Sequence, residues 1–502
     1  MIALRKLLRP AIVPLVGVGV ATTLLAIGEL TPAPLHADEP ARTSDESKAN
    51  REEEKRKDAS HLPKEVDQRQ TYMPVVMEQT FEEMRKKDVA ERDEVLAAQK
   101  KLLEQRYDLK DDPTEQWMSG KRKKVQQGVR VKLPEGTSWE ELAERKPQEI
   151  KDQELWPAGF RPLPHVKHPT GGMVFPEEQI EKIQQAEHRD LNRFDVEFDL
   201  PQHLTPEFPP PMFLTNRPDL GDVTQGQLLT SDNFFELMQG KLTPFQMEGL
   251  RMLLTPFPQQ QFNATHDRKV AEPSFGVTCF DCHANGHTNA AFHLNPDTRP
   301  QALRLRIETP SLRGMFNQQI HGSKRALRSV EDFTEFEQRT AYFDGDHVTA
   351  AKKGVNSLDR GTAVSAMGQM QSMLDFPPAP KLNLLGRLDH EKASDLERQG
   401  EELFFGKAKC GECHPAPHYL DNLMHDLHLE RFYEPKMVLG HFDHPAGPMK
   451  TTTLRGIKDS PPYLHDGRLM TLEDSTEFFN LVLGLKLSEQ EKEALVAFMR
   501  CL

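Results

Sequence analysis

An apolar run from Ala11 to Ile27 follows a basic start at Arg5, Lys6 and Arg9, and beyond it the chain turns strongly polar. The run is about 17 residues, at the lower limit for crossing a bilayer. With Leu35-His36-Ala37 ahead of acidic Asp38, residues 1–37 read as a secretory signal peptide cut near Ala37; the other reading is an uncleaved anchor helix. Export implies a bacterial periplasm or an equivalent space, and no stable membrane span is expected once the signal is removed. Residues 38–160 are dense in Glu, Lys, Arg, Asp and Gln, and Phe81 to Leu109 reads as helix with a sparse apolar stripe of Met84, Val89, Val95, Leu96, Leu102 and Leu103. Such a pattern suits a solvated helical arm, disordered in part, or a docking segment for a partner. Residues 161–242 are Pro-rich, as in Phe208-Pro209-Pro210-Pro211-Met212, and are expected to wrap over a core without much regular structure.

From Thr243 the pattern tightens. Thr243-Pro244-Phe245-Gln246 reads as an N-cap, a proline at the first helical position and a capping-box Gln, with helical periodicity running to Leu254. Acidic helix starts recur at Val330-Glu331-Asp332 and Leu472-Glu473-Asp474. The final helix is marked by Ser488 as N-cap, Glu491 at the capping-box position, and Leu495, Phe498, Met499 and Leu502 on one face.

At 502 residues the chain exceeds one compact core. A mean hydropathy of -0.64 excludes a polytopic membrane protein. A net charge of -13 argues against nucleic acid as a partner, because phosphates need a basic face. The five cysteines are too few and too clustered for a disulfide scaffold.

Four of them form two motifs, Cys279-Phe280-Asp281-Cys282-His283 and Cys410-Gly411-Glu412-Cys413-His414. Two thiols at this spacing can each add to one vinyl group of a haem, and the adjacent imidazole then lies under the iron as proximal ligand. Zinc is the structural alternative, but neither motif is followed by a second Cys pair. A thioredoxin-like redox pair would lack the His. The motifs therefore predict two covalently bound haem c groups, in keeping with export. Cys501 is left over as a small terminal residue.

An internal repeat surrounds the motifs. Thr309-Pro310-Ser311-Leu312-Arg313-Gly314 is echoed by Thr451-Thr452-Thr453-Leu454-Arg455-Gly456. Each copy continues to a His (His321, His465), then to an acidic helix start, and each reaches Thr-Glu-Phe at the same separation, at Phe336 and Phe478. A shared period around a shared motif indicates a duplicated unit, each half wrapping one haem. Arg313 and Arg455 are then candidates to face a haem propionate, or else surface or core-capping arginines. The expected architecture is all-α, with two tandem cytochrome c-like haem domains at 243–384 and 385–502.

Over roughly residues 243–502 the chain resembles the di-haem bacterial cytochrome c peroxidase family, which includes the MauG-type enzymes. The resemblance is carried by Arg398-Gln399-Gly400-Glu401-Glu402-Leu403-Phe404-Phe405-Gly406 leading into the second motif, by Asp421-Asn422 with Met424-His425, and by Leu454-Arg455-Gly456 followed by Pro461-Pro462-Tyr463-Leu464-His465-Asp466-Gly467. The closing Leu495-Val496-Ala497-Phe498 also matches. Residues 38–240 have no counterpart. The resemblance implies a peroxidatic first haem and an electron-entry second haem. It also implies hydrogen peroxide or another small oxidant as substrate, a small periplasmic electron-donor protein, and a homodimer. It places a calcium ion between the domains, with ligands at Glu308, Ser460 and the Pro462 carbonyl. His293 or His287 would be the distal ligand of the first haem, and Glu335, Glu337 and Asp344 lie in the stretch of the family's distal acid.

The chain also departs from that family. No tryptophan follows Trp156, whereas the family places one between its haems, where the local match here is Gln319-Ile320-His321-Gly322; another path, through His321 or Tyr342, is required. The family's sixth ligand to the second haem matches Phe479, which cannot bind iron. Either Met437, Met449 or Met470 substitutes, or that haem is five-coordinate and open. Three functions remain: reduction of peroxide, with iron as Lewis acid and electron source and a distal acid moving the proton; a MauG-like oxidation of a protein side chain; and plain electron transfer by a non-catalytic di-haem cytochrome.

Overall fold

The computed structural model describes scattered positions of 90–153, then 204–255, 278–290, 292–294, 306–322, 327–343, 360–427, 437–438, 441–442 and 448–502 apart from 466 and 468. The chain divides into two compact units, residues 1–64 and 65–502. The first unit, the signal peptide and all six residues of the apolar stripe expected over 81–109 lie outside the described residues, as does Asp344.

The N-terminal part of the second unit contains short β-ladders that the charge-rich sequence does not suggest. Strand β1 (Tyr107–Asp108) pairs antiparallel with β4 (Arg130–Val131), and β2 (Pro113–Trp117) with β3 (Lys124–Gln126). Tyr107, Met118 and Val125 are buried. From residue 204 the Pro-rich stretch runs as largely irregular chain past Met212, Phe213 and Leu214, all buried, to a short helix α1 (Phe234–Met238).

Beyond it, the described residues are mainly helical and fall into two similar arrangements. In the first, α2 (Pro244–Leu253) begins with the capping box of Thr243 and Gln246. The first Cys motif forms α3 (Cys279–Cys282), capped by Thr278 and Asp281. The ladder β5 (Phe292–Leu294) with β6 (Arg306–Glu308), then α4 (Val330–Phe343) and α5 (Ser365–Gln371), complete it. In the second, α6 (Asp395–Phe405) is capped by Ser394 and Glu397. The second motif forms α7 (Cys410–Cys413), and α8 (Leu472–Leu483) and α9 (Glu489–Met499) close the chain. Strand β7 (Met424–His425) pairs across a β8 (Met437–Val438) and β9 (His441–Phe442) hairpin with β10 (Met449–Lys450).

One contact repeats. Helix α2 crosses α5 at Gly249, where an added Cβ would lie 2.1 Å from the Ala366 carbonyl oxygen; α6 crosses α9 at Gly400, where it would lie 1.9 Å from that of Ala494. Only a residue without a side chain allows backbones this close. Apolar residues pack round each crossing: Leu250, Leu253, Met367, Met370 and Leu374 in the first, Phe404, Tyr419, Leu495, Phe498 and Leu502 in the second. The Leu-Arg-Gly copies repeat as well. Gly314 and Gly456 take left-handed backbone (φ 79° and 73°) and open matching turns of 3-10 helix, Met315–Asn317 and Ile457–Asp459.

Candidate haem and active site

Each Cys motif occupies a single helical turn, so its two thiols project from neighbouring positions of one short helix and the histidine follows at its end. His283 donates from Nδ1 to the Pro310 carbonyl (2.8 Å), and His414 donates from Nδ1 to the Tyr419 carbonyl (2.8 Å). A carbonyl only accepts, so the proton is fixed on Nδ1 and the lone pair on Nε2. This is the arrangement an imidazole needs to serve as an oriented metal ligand. Burial, partly offset by the Pro310 carbonyl, pushes His283 down to about 4, and burial lowers His414 too, so both rings are neutral at pH 7. None of the four cysteines is in a disulfide. Burial pushes Cys279 and Cys410 up to about 12, so both stay protonated.

These residues fit a covalently held haem. They fit zinc less well. Cys413, Asp421 and His425 bring one S, one O and one N within 4.8 Å of one another, a grouping that sequence spacing did not reveal. Cys410 stands outside it, with its S–H directed to the Ala408 carbonyl, so the motif's two sulfurs are not jointly arranged round one ion.

Arg313 is buried, and its Nη2 donates to the Pro211 carbonyl (2.6 Å). Its Nη1 stands 3.8 Å from the Asp459 carboxylate, while Nε and Nη1 make no hydrogen bond among the described residues. Two buried guanidinium donors left open suit an anionic group such as a propionate. Arg455 is differently placed, donating to the carbonyls of Leu502 (3.0 Å) and Pro377 (3.3 Å). The two arginines share one device. Arg313 lies over the Phe213 ring at 5.5 Å, and Arg455 over Phe376 at 5.4 Å. Asp459 also accepts from Ser119, which ties the N-terminal part to the second Leu-Arg-Gly turn.

Glu335 and Glu337 are both half-buried on α4. Residues two apart point to different sides of a helix. After burial, the Glu337 charge is the next cause raising the Cys279 thiol. For His293 only the backbone of β5, paired with Ile307, is described. Tyr342 is likewise described only as part of α4. His287 has both ring nitrogens engaged, Nδ1 with the Ser311 hydroxyl (2.7 Å) and Nε2 with the Asp459 carbonyl (2.8 Å). His321 is buried with Phe333 beside it at 6.2 Å, and burial, helped by the Lys450 charge, pushes it down to about 4.

Glu308 is linked through its backbone N–H to the His465 carbonyl (2.8 Å), which sets it against the loop that begins at Ser460 and Pro462. Its carboxyl accepts from Thr288 (3.2 Å), and burial raises it well above the usual carboxylate range. Phe479 is half-buried on α8, edge-on to Phe478 at 5.4 Å. No helix among the described residues is long and apolar enough to cross a membrane.

No protein-family model matches the chain. The cytochrome-c peroxidase IdrP2 of Denitromonas iodatirespirans is 30% identical over 151 residues, covering 23% of this chain and 41% of that protein. The methylamine utilization protein MauG of Methylorubrum extorquens is 30% identical over 124 residues, 21% of this chain and 34% of MauG. IdrP2 of a Pseudomonas species (strain SCT) is 27% identical over 294 residues, 46% of this chain and 77% of the relative. The matches to the first two relatives thus span well under half of those proteins' own lengths. Among solved structures, a MauG-like protein associated with microbial copper homeostasis aligns with 60% of this chain at 17% identity and a TM-score of 0.33. By sequence the chain is similar, at modest identity, to di-haem cytochrome c peroxidases and MauG.

Proposed function

We propose that the chain is an exported, periplasmic di-haem c-type oxidoreductase that reduces hydrogen peroxide with electrons from a small periplasmic donor protein. The observation that carries this reading is the pair of Cys-x-x-Cys-His turns, each with its histidine Nδ1 held by a backbone carbonyl and its Nε2 left as a lone pair. When bound, the haem irons supply Lewis acidity and electrons.

The chain's own residues supply the rest. Cys279, Cys282, Cys410 and Cys413 would tether the two groups, and His283 and His414 would ligate their irons. Arg313 directs its open donors at a propionate, while Arg455 braces the second turn. Glu337, whose charge acts on Cys279, is the candidate to hold the proton that peroxide cleavage needs and pass it to the departing oxygen; Glu335 stands on the same helix as the alternative donor. His293 is the candidate distal ligand. Glu308, with Ser460 and the Pro462 carbonyl, is the candidate calcium site.

The test is the intact mass of the purified exported protein, followed by turnover of peroxide. Two haems add about 1.2 kDa, and the same number locates the cleavage point near Ala37 and measures any dimer under native conditions. A colourless protein, or zinc at the cysteine pairs, ends the reading. The similarity to MauG supports a second outcome: two haems with oxidation of a protein side chain rather than consumption of a small donor's electrons. Two low-spin irons inert to cyanide and peroxide at every redox level would identify an electron-transfer cytochrome instead.

A further inference from the structure

We propose that Phe376, with Phe316 and His418 packed on it, is the contact through which the two Cys-x-x-Cys-His sites exchange an electron; the proposal rests on the di-haem reading above. Phe376 belongs to neither site. It lies on the connection between α5 and α6 and is buried. An added Cβ at Gly314 would fall 2.0 Å from its ring, so the ring is seated on the backbone of the first Leu-Arg-Gly turn. That turn follows Pro310, whose carbonyl fixes His283. The Arg455 guanidinium of the second Leu-Arg-Gly turn covers the same ring at 5.4 Å. The next residue, Pro377, accepts from Arg455 (3.3 Å) and would meet a Cβ on Gly456 at 2.8 Å. The two Leu-Arg-Gly copies thus close on consecutive residues of one connection.

Two further rings extend the contact. Phe316, two residues after Gly314, meets Phe376 edge-on at 5.7 Å. His418, four residues after His414, lies 5.9 Å from Phe376 and 6.0 Å from Phe316. The His418 carbonyl accepts from Thr453 (2.6 Å), which pins it to the second turn. Close by, Asn422 donates to the Asn317 carbonyl (3.2 Å) and accepts from the Gln319 N–H (3.1 Å), and Lys450 donates to Gln318 (2.7 Å), so the segment carrying Phe316 is clamped to the second site.

Tunnelling through packed atoms is far faster than across a gap, and these rings give a packed route among the described residues between the loops that hold His283 and His414. The step moves one electron and no atom. His414 and His283 would each hold a haem iron supplying a one-electron couple, so an electron delivered at the His414 site by an external one-electron reductant would be lost there and gained at the His283 site, with these rings packed between. Phenylalanine is neither oxidised nor reduced on the way. Phe376, Phe316 and His418 are positioning residues in this step.

The experiment is partial reduction of the two-haem protein and optical measurement of the rate at which the electron redistributes. Phe376→Ala is expected to slow it about tenfold or more, and Phe316→Leu several-fold, with both midpoint potentials and both resting spectra unchanged. An unchanged rate in Phe376→Ala with both haems present overturns the proposal, as does slowing accompanied by shifted potentials, which would mean a structural role. Should Phe376→Ala lose haem, Phe376→Leu and Phe316→Leu decide the matter by the same measurement. A wild-type mass lacking two haems fails the underlying reading instead, before any rate is measured.

Discussion

His287 donates from Nε2 to the backbone carbonyl of Asp459, 2.8 Å away and 172 residues further along the chain. With Nδ1 accepting from Ser311 (2.7 Å), the ring joins the turn after the first Cys motif to the second Leu-Arg-Gly turn. Burial and the neighbouring Arg313 charge hold its pKa well below that of an ordinary histidine, so it is neutral, as a ring that both donates and accepts must be. His287→Ala would strand two buried polar groups, each worth about 1–3 kcal/mol. The expected result is a lower melting temperature for the region that joins the two motifs, with partial recovery in His287→Gln, which keeps a donor and an acceptor. Equal melting of wild type and His287→Ala would show that the bridge contributes nothing.

The helix crossings give a second prediction. A Cβ at Gly400 would sit 1.9 Å from the Ala494 carbonyl oxygen, and one at Gly249 would sit 2.1 Å from that of Ala366. In each case the obstacle is backbone, which cannot swing aside, so the helices must separate. Overpacking of this kind costs about 1–3 kcal/mol or more, against the small gain alanine brings to an isolated helix. Gly400→Ala and Gly249→Ala are both expected to lower the denaturant midpoint, and a variant as stable as wild type would mean that the crossing has slack.

Much of this was legible in the residues. The capping boxes at Thr243 and Ser488 stand where the Thr-Pro-x-Gln and Ser-x-x-Glu patterns put them, because a cap is satisfied within four residues. The Leu-Arg-Gly repeat was visible for the same reason: its glycines are needed for a local left-handed backbone. What stayed hidden depends on distant chain. No pattern names Ala366 and Ala494 as the partners of Gly249 and Gly400, or pairs His287 with Asp459. The clamp on Arg313 draws on Pro211 and Phe213, and the ring contact at Phe376 on both halves at once. For the route between the motifs the sequence offered His321 or Tyr342; the His321 ring lies beside Phe333.

Glu401 offers a pH test away from the Cys motifs. Its buried carboxylate accepts from Arg387 Nε (2.8 Å), the Leu388 N–H (2.9 Å) and His390 (3.1 Å). Burial alone would push it up, but these donors, Arg387 foremost, more than offset that and hold it below the usual glutamate range. A depressed folded-state pKa stabilises above the unfolded value and is lost as pH falls through the folded one. At pH 7, Glu401→Gln is therefore expected to melt below wild type by the equivalent of about 1.5–3 kcal/mol. The gap should close as pH falls below about 4. A gap that persists unchanged into acid would mean that shape rather than charge matters at this position.

On the proposed two-haem reading, Phe479 tests where the sixth ligand position of the second haem lies. It is half-buried on α8 with its ring edge-on to Phe478 at 5.4 Å, in a helix whose start at Leu472 is fixed by the Thr471 cap. Phenylalanine offers no lone pair, whereas methionine at the same point offers a thioether on an unbranched, adaptable stem. If this position overlooks the iron held at His414, Phe479→Met gives a low-spin second haem with a raised reduction potential, since a Met/His pair favours the reduced state. Cyanide should then bind at one iron fewer than in wild type. The first haem's spectrum should not move, because its ligand His283 is held by the Pro310 carbonyl from the other half of the repeat. A variant whose spectrum and potential match wild type would place the sixth position elsewhere and return attention to Met437, Met449 and Met470.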